Sequence, residues 1–304
     1  MRYQICALVG VSLLVPLCSF FLQAEVGIKN RDASVLFEGD SIYNHLSIRQ
    51  TGEVRCMLSG SFKNEETCMN IREPDFPVFE YTAMMFVGFL FKPESRDVLL
   101  IGLGGGYIPH VFHTHQPDVR LHIVEIDPMV IKLAREYFGF EETSRISLTN
   151  GDGRRYLKTA DRQFDQIWID AFNSDLIPAH MTTREFLLLT KSKLSEHGVV
   201  VQNVNHTNEL FNFQVNTFKA AFRHVFVFEG IRDDNSIIVA SDTPMIDPGK
   251  IIETACNRTI GQIDLIEQAR KYRKDLTIQQ TRILTDDYCP VNLFIHKRRN
   301  QLWS

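Results

Sequence analysis

The chain predicts a doubly wound α/β sheet behind a small N-terminal β domain, and three observations carry that prediction. From residue 97 onward, short apolar runs alternate with helical segments at regular intervals, the pattern of a parallel sheet covered on both faces. Upstream, residues 34–70 alternate apolar and polar with the period of half-buried strands. Cap and turn residues stand where each element should begin. The composition agrees: 44% of the 304 residues are hydrophobic, which excludes a disordered chain, and 17 glycines exclude a collagenous one. A formal net charge of −4 leaves no basic footprint for nucleic acid.

The N-terminal segment stands apart from the fold. Arg2 is the one charge in Met1–Gln4, Ile5–Leu22 is uncharged and mostly apolar, and Gln23-Ala24 precedes Glu25. Residues 1–24 therefore read as a secretory signal peptide or, if uncleaved, as a membrane anchor through residues 5–22. The expected location is exported, periplasmic or secreted, or membrane-anchored by the N-terminus. Cys6 and Cys18 fall in that segment, which leaves Cys56, Cys68, Cys256 and Cys289. Export permits bridges among them. Cys56 and Cys68 flank a polar, turn-like stretch and are expected to pair; the alternative is two buried thiols. No CxxC pair or histidine cluster has metal-ligand spacing, so no metal site is expected.

Residues 25–78 form the predicted β domain, with strands at Val35–Glu38, Ile42–Ile48 and Val54–Leu58. Residues 79–304 form the predicted nucleoside-binding domain, opening with an apolar helix over Phe79–Phe91. Its strands are read at Val98–Gly102, Leu121–Glu125, Ile146–Thr149, Phe164–Asp170 and Gly198–Gln202. Asp127-Pro128 and Asp247-Pro248 each place a cap before an N1 proline, and Thr182 with Glu185 matches a capping box. Val225–Phe228 and Ser236–Ala240 flank Arg232–Asn235 as a hairpin. A terminal hairpin on a parallel sheet is typical of S-adenosylmethionine-type nucleotide folds.

The candidate site lies at successive strand ends. Gly102, Gly104 and Gly105 stand at a strand-to-helix turn, where glycines let backbone approach a ligand closely. Glu125 ends the next strand about 20 residues on, where an acidic side chain can accept from both ribose hydroxyls. Asp152, followed by Gly153, closes the third strand and is placed for the adenine amine; helix capping is the alternative for both acids. Nothing resembles a phosphate-gripping GxxxxGK[ST] loop, so a nucleoside without phosphates fits best. Asp170 sits at the tip of the fourth strand, placed to bind or deprotonate an amine, with a capping or turn role as the alternative, before a loop long enough to act as a lid. His180 and His206 are possible site residues, but without distinguishing spacing they, like His113 and His115, read as structural first.

Taken together, these residues resemble the spermidine synthase family, the polyamine aminopropyltransferases, from about residue 34 to residue 295. The matching pieces are Ser41–Ile48, the Tyr81–Met84 helix, Gly102–Gly106, Val124–Asp127, Gly151–Gly153 and Ile169–Ala179. The closing Leu284–Asn292 is similar to the tail of an exported or membrane-associated subgroup. The resemblance implies a Rossmann-like catalytic domain behind the β domain and, often, a homodimer. It implies transfer of an aminopropyl group from decarboxylated S-adenosylmethionine to an amine such as putrescine, with no metal and no tightly bound cofactor. Carried over, Glu125 holds the ribose, Asp152 the adenine and Asp170 the attacking amine, and Asn44 replaces a Gln that helps bind the donor. The departures fall on the amine side. Gly105 replaces the Asp that anchors the aminopropyl ammonium, Thr82-Ala83 replace a His-Glu pair, and Asn173 replaces a second acid whose space Asp175 can reach. Three activities therefore fit: an aminopropyltransferase with Asp170 as base and Asp175 assisting, a methyltransferase using intact S-adenosylmethionine, or a catalytically inactive nucleoside- or polyamine-binding homologue.

Overall fold

The structure, a computed structural model, describes residues 33–60, 64–172, 177–244, 247–254 and 258–290. The expected signal or anchor segment, with Cys6 and Cys18, lies outside the described residues, as do Asn173, Asp175 and Cys256.

The upstream alternation builds a four-stranded antiparallel meander of β1 (Ser34–Asp40), β2 (His45–Thr51), β3 (Val54–Ser59) and β4 (Asn64–Asn70). Cys56 and Cys68 oppose each other directly across β3 and β4, with Cα atoms 4.1 Å apart, and form the expected disulfide. The second strand begins at His45 rather than Ile42. Ser41 Oγ accepts the N–H groups of Tyr43 at 3.0 Å and Asn44 at 2.9 Å, closing a turn that breaks the alternation. Asn44 is thus presented from a turn.

The expected apolar helix is present as α1 (Glu80–Met84), a 3₁₀ turn over Met85–Val87, and α2 (Gly88–Phe91). Gly88 is pressed against the sheet, where an added Cβ would come within 2.2 Å of Gln166 Oε1. The alternating region follows as β5 (Asp97–Ile101), α3 (Tyr107–His115), β6 (Arg120–Glu125), α4 (Pro128–Phe138), β7 (Ile146–Asn150), α5 (Gly153–Thr159) and β8 (Phe164–Ile169). It continues with α6 (Arg184–Ser192), β9 (Leu194–Asn205), α7 (Phe211–Ala221), β10 (His224–Glu229) and β11 (Asn235–Ser241). A short α8 (Pro248–Thr254), the two-residue strands β12 (Thr259–Ile260) and β13 (Ile263–Asp264), and α9 (Leu265–Ala269) close the described helices and strands.

These strands form one seven-stranded sheet in the order β10-β11-β9-β8-β5-β6-β7, parallel except for the predicted hairpin. Both faces are buried. Leu100, Trp168 and Val201 face one apolar layer with Phe86 and Phe112, whereas Leu99, Ile167 and Val200 face the other with Phe186 and Phe218. Period-two side chains on a covered sheet produce this split, and it explains why the strands read as continuous apolar runs.

Asp127 caps α4 as expected, its Oδ1 accepting Met129 N–H at 2.8 Å, and Asp247 accepts Gly249 N–H at 2.9 Å. The third cap moves by one residue. Thr183, not Thr182, accepts the Phe186 N–H, and Glu185 takes the Asp286 N–H instead of closing a capping box. Thr182 turns its hydroxyl back onto the Ala179 carbonyl at 2.8 Å, so it ends the preceding turn. The fifth parallel strand, β9, runs on to Asn205 and carries Asn203 and Asn205 beyond the predicted end.

Candidate active site

The strand order places β6 and β7 on one side of β5, and β8 and β9 on the other. Between β5 and β8 the connections diverge, leaving a crevice at the carboxyl ends of the strands. A cavity of about 420 Å³ opens there. Its wall includes Asn44, Gly102, Gly104, Glu125, Asp152, Gly153 and Asp170, which the sequence had spread over 127 positions. Gly105 is not in that wall. It is packed between Thr67 and Phe138, where an added Cβ would meet each at 3.0 Å, so the middle of the glycine run serves packing. Asp175 lies outside the described residues.

The glycine turn is forced by its neighbours. Gly102 has φ of 107°, and a Cβ there would lie 2.1 Å from the Asp170 carbonyl oxygen. The tips of β5 and β8 therefore touch backbone to backbone, which only glycine allows. Gly104 and Gly106 also take positive φ, 53° and 83°, turning the chain into α3. Gly153 meets the sheet as closely, since a Cβ there would sit 2.4 Å from Ile101 Cγ2.

Glu125 is buried at the end of β6, and its carboxylate is held by backbone. Oε2 accepts the Leu103 N–H at 3.0 Å and Oε1 the Asp127 N–H at 2.8 Å. Burial raises its pKa; these backbone bonds pull the other way. The acid thus fixes the glycine turn, and with the Ile126 N–H as a third backbone partner it keeps only part of its acceptor capacity. Asp127 is buried two residues on, and its Oδ2 accepts the Ser41 hydroxyl at 2.5 Å. That bond ties the turn bearing Asn44 to the nucleotide side of the crevice.

Asp152 does cap a helix: its Oδ1 accepts the Arg155 N–H at 2.7 Å. Its Oδ2 is 2.7 Å from His180 Nε2. His180 lines the cavity as well, the less favoured of its two sequence readings.

At the opposite end, Asp170 Oδ1 accepts from Asn203 Nδ2 at 3.0 Å, and the carboxylate also receives Tyr81. Burial pushes its pKa up to about 6, against the pull of those two donors. Asn203 is buried, and its Oδ1 has no protein partner. Tyr81 is positioned from behind, because Asp233 Oδ2 accepts its backbone N–H at 2.9 Å. Thr82 also lines the cavity, but its hydroxyl proton is committed to the Phe79 carbonyl at 2.7 Å.

Four carboxylates, those of Glu125, Asp127, Asp152 and Asp170, line the cavity, and among the described residues no lysine or arginine does. Such a wall favours a cationic ligand. Its two ends differ: backbone-anchored acids at the β6 and β7 tips suit hydroxyls and an exocyclic amine, whereas Asp170 suits an ammonium group. Sequence reasoning missed Asp127 as a cavity residue, and also Asn203 and Asn205. The signal for the asparagines was present, since they follow a predicted strand at alternate positions beside the Asp170 strand.

A family model described as the spermine/spermidine synthase domain matches residues 78–229, half of the chain. A polyamine aminopropyltransferase of Vibrio vulnificus (strain CMCP6) is 29% identical over 295 residues, spanning 93% of this chain and 97% of that protein. Spermidine synthase from Thermotoga maritima shares the fold with a TM-score of 0.63 at 21% identity, covering 79% of this chain and 84% of the other. Human methyltransferase-like protein 13, solved with SAH, shares it with a TM-score of 0.54 at 23% identity, covering 71% and 99%.

Proposed function

Because the chain belongs to the spermine/spermidine synthase family, we propose that it is an aminopropyltransferase, using decarboxylated S-adenosylmethionine as donor and a small amine as acceptor. The observation that carries this reading is the Asp170 carboxylate, held by Asn203 and Tyr81 inside an acidic cavity whose other end is anchored on Glu125. Glu125 accepts from the ribose with the acceptor capacity its three backbone partners leave. Asp152 accepts the adenine amine beside His180. The glycine turn lets the donor lie against backbone.

Asp170 takes a proton from the acceptor ammonium, freeing a lone pair on nitrogen. That pair attacks the methylene carbon bonded to the sulfonium sulfur. The carbon–sulfur bond breaks with its electrons going to sulfur, and neutral methylthioadenosine leaves. A base with a pKa of about 6 is ionised at neutral pH yet remains a usable proton acceptor. The sulfonium is itself the leaving group, so the residues supply orientation, charge and one proton transfer.

The test is product identity with purified protein, decarboxylated or intact S-adenosylmethionine, and a panel of amines. Methylthioadenosine formed only when an amine is present supports the reading. S-adenosylhomocysteine formed from the intact donor would instead support a methyltransferase, the reading favoured by the SAH-bound neighbour. Neither product, with adenosyl binding retained, would make the chain a binding protein.

We also propose that the protein works in an oxidising compartment. The support is the apolar Ile5–Leu22 segment and the Cys56–Cys68 disulfide. Thiol trapping on fractionated cells checks it: both thiols reactive in a cytosolic fraction would overturn it.

A further inference from the structure

The acceptor end of the cavity presents its hydrogen-bonding groups in a fixed order along β9. Asn203 and Asn205 both line the cavity, two residues apart and so on one face of the strand. Each amide has its orientation set by a neighbour. The Asp170 carboxylate accepts from Asn203 Nδ2 at 3.0 Å, so Asn203 Oδ1 is the free group, and that oxygen is buried without a protein partner. At Asn205 the order is reversed. Its Oδ1 accepts both the Thr207 N–H at 3.0 Å and the Thr207 hydroxyl at 2.9 Å, so the free group is the Nδ2 donor.

The wall therefore offers two acceptors, Asp170 and Asn203 Oδ1, followed about 7 Å along the strand by a donor, a spacing suited to a four-carbon chain with a polar group at each end. An ammonium group meets the acceptors and satisfies the orphaned oxygen, which is costly to leave unpaired. A second ammonium at Asn205 would meet N–H groups head on. A neutral hydroxyl or carbonyl there would accept from Nδ2, without adding a charge to a wall already lined by carboxylates.

Resting on the aminopropyltransferase reading, we infer that the acceptor is a monoamine carrying a neutral hydrogen-bond-accepting group at its far end, an amino alcohol type of molecule, and that Asn205 sets this choice against diamines.

The experiment uses the full chain with decarboxylated S-adenosylmethionine and follows methylthioadenosine release with two acceptors of equal length, aminobutanol and putrescine. The expected result is a higher kcat/KM for aminobutanol, by about tenfold or more. Asn205→Asp keeps an oxygen for both Thr207 bonds and exchanges the donor for an acceptor, so it should move the preference toward putrescine by a similar factor. Equal or better use of putrescine by the unaltered protein overturns the inference and leaves the aminopropyltransferase reading intact. An unchanged preference in Asn205→Asp overturns the role of Asn205. No methylthioadenosine with any amine defeats the parent reading, and the inference with it.

Discussion

Asp170 shows how one side chain can be costly to the fold and necessary to the site. Its pKa is pushed up to about 6 by burial, so ionising it costs the folded protein more than the unfolded chain. The sign follows: this group favours the folded state below its unfolded pKa, and that contribution is lost as pH rises through about 6. Asp170→Asn should therefore raise the unliganded melting temperature above pH 6 while abolishing transfer and sparing adenosyl binding. Catalysis runs the other way, with kcat falling as pH drops through about 6. A pH–rate profile flat between pH 5 and pH 7 would exclude Asp170 as the base. Glu125 differs in that its neighbours are backbone N–H groups. Glu125→Ala should weaken an adenosyl ligand by about 1–3 kcal/mol, read by calorimetry. Glu125→Gln, which keeps one acceptor oxygen, should lose less.

The glycine turn between β5 and α3 works as an element whose residues have separate duties. Gly102 and Gly104 open the cavity wall, whereas Gly105 fills a gap between Thr67 and Phe138. Restoring an acid with Gly105→Asp should therefore not create an ammonium anchor. It should cost about 1–3 kcal/mol through overpacking and leave kcat/KM for the acceptor no higher, measured by denaturant unfolding and initial rates. A gain in turnover would mean that the turn relaxes to admit the side chain. The contact with Thr67 also explains why the four-stranded sheet bears on the site: β4 packs its Thr67 against the glycine run and lines the cavity beside it.

Across the whole molecule, distant parts of the chain converge behind Tyr81. Glu80 Oε2 accepts the N–H groups of Ile231 and Arg232, both at 2.7 Å, and its Oε1 lies 3.2 Å from the buried Lys271. One carboxylate thus joins the start of α1, the β10–β11 hairpin and the chain after α9. Removing Glu80 leaves the buried Lys271 with Gln268 and the exposed Glu267 carboxylate, 3.7 Å away, as its remaining partners. Glu80→Ala should lower stability by about 3–5 kcal/mol. It should also speed amide exchange in the hairpin turn, by hydrogen-exchange mass spectrometry. A loss under about 1 kcal/mol would show that Glu267 takes over the pairing with Lys271.

Sequence by itself determined the layer plan and half of the site. Apolar runs at regular spacing demand a sheet covered on both faces, and Glu125, Asp152 and Asp170 stand at the ends of those runs, where such sheets open. The Asp127 and Asp247 caps and the Cys56–Cys68 pair were legible because each is a local arrangement. Tertiary structure decided what depends on partners far along the chain. Thr182 yields its cap to Thr183, Gly105 leaves the cavity wall, and His180 comes to face Asp152. The amide directions of Asn203 and Asn205 are of this kind too, since an asparagine reads the same in sequence whichever end is free. Only Asp170, 33 positions before Asn203, and Thr207, packed against Asn205, settle which group each one offers a ligand.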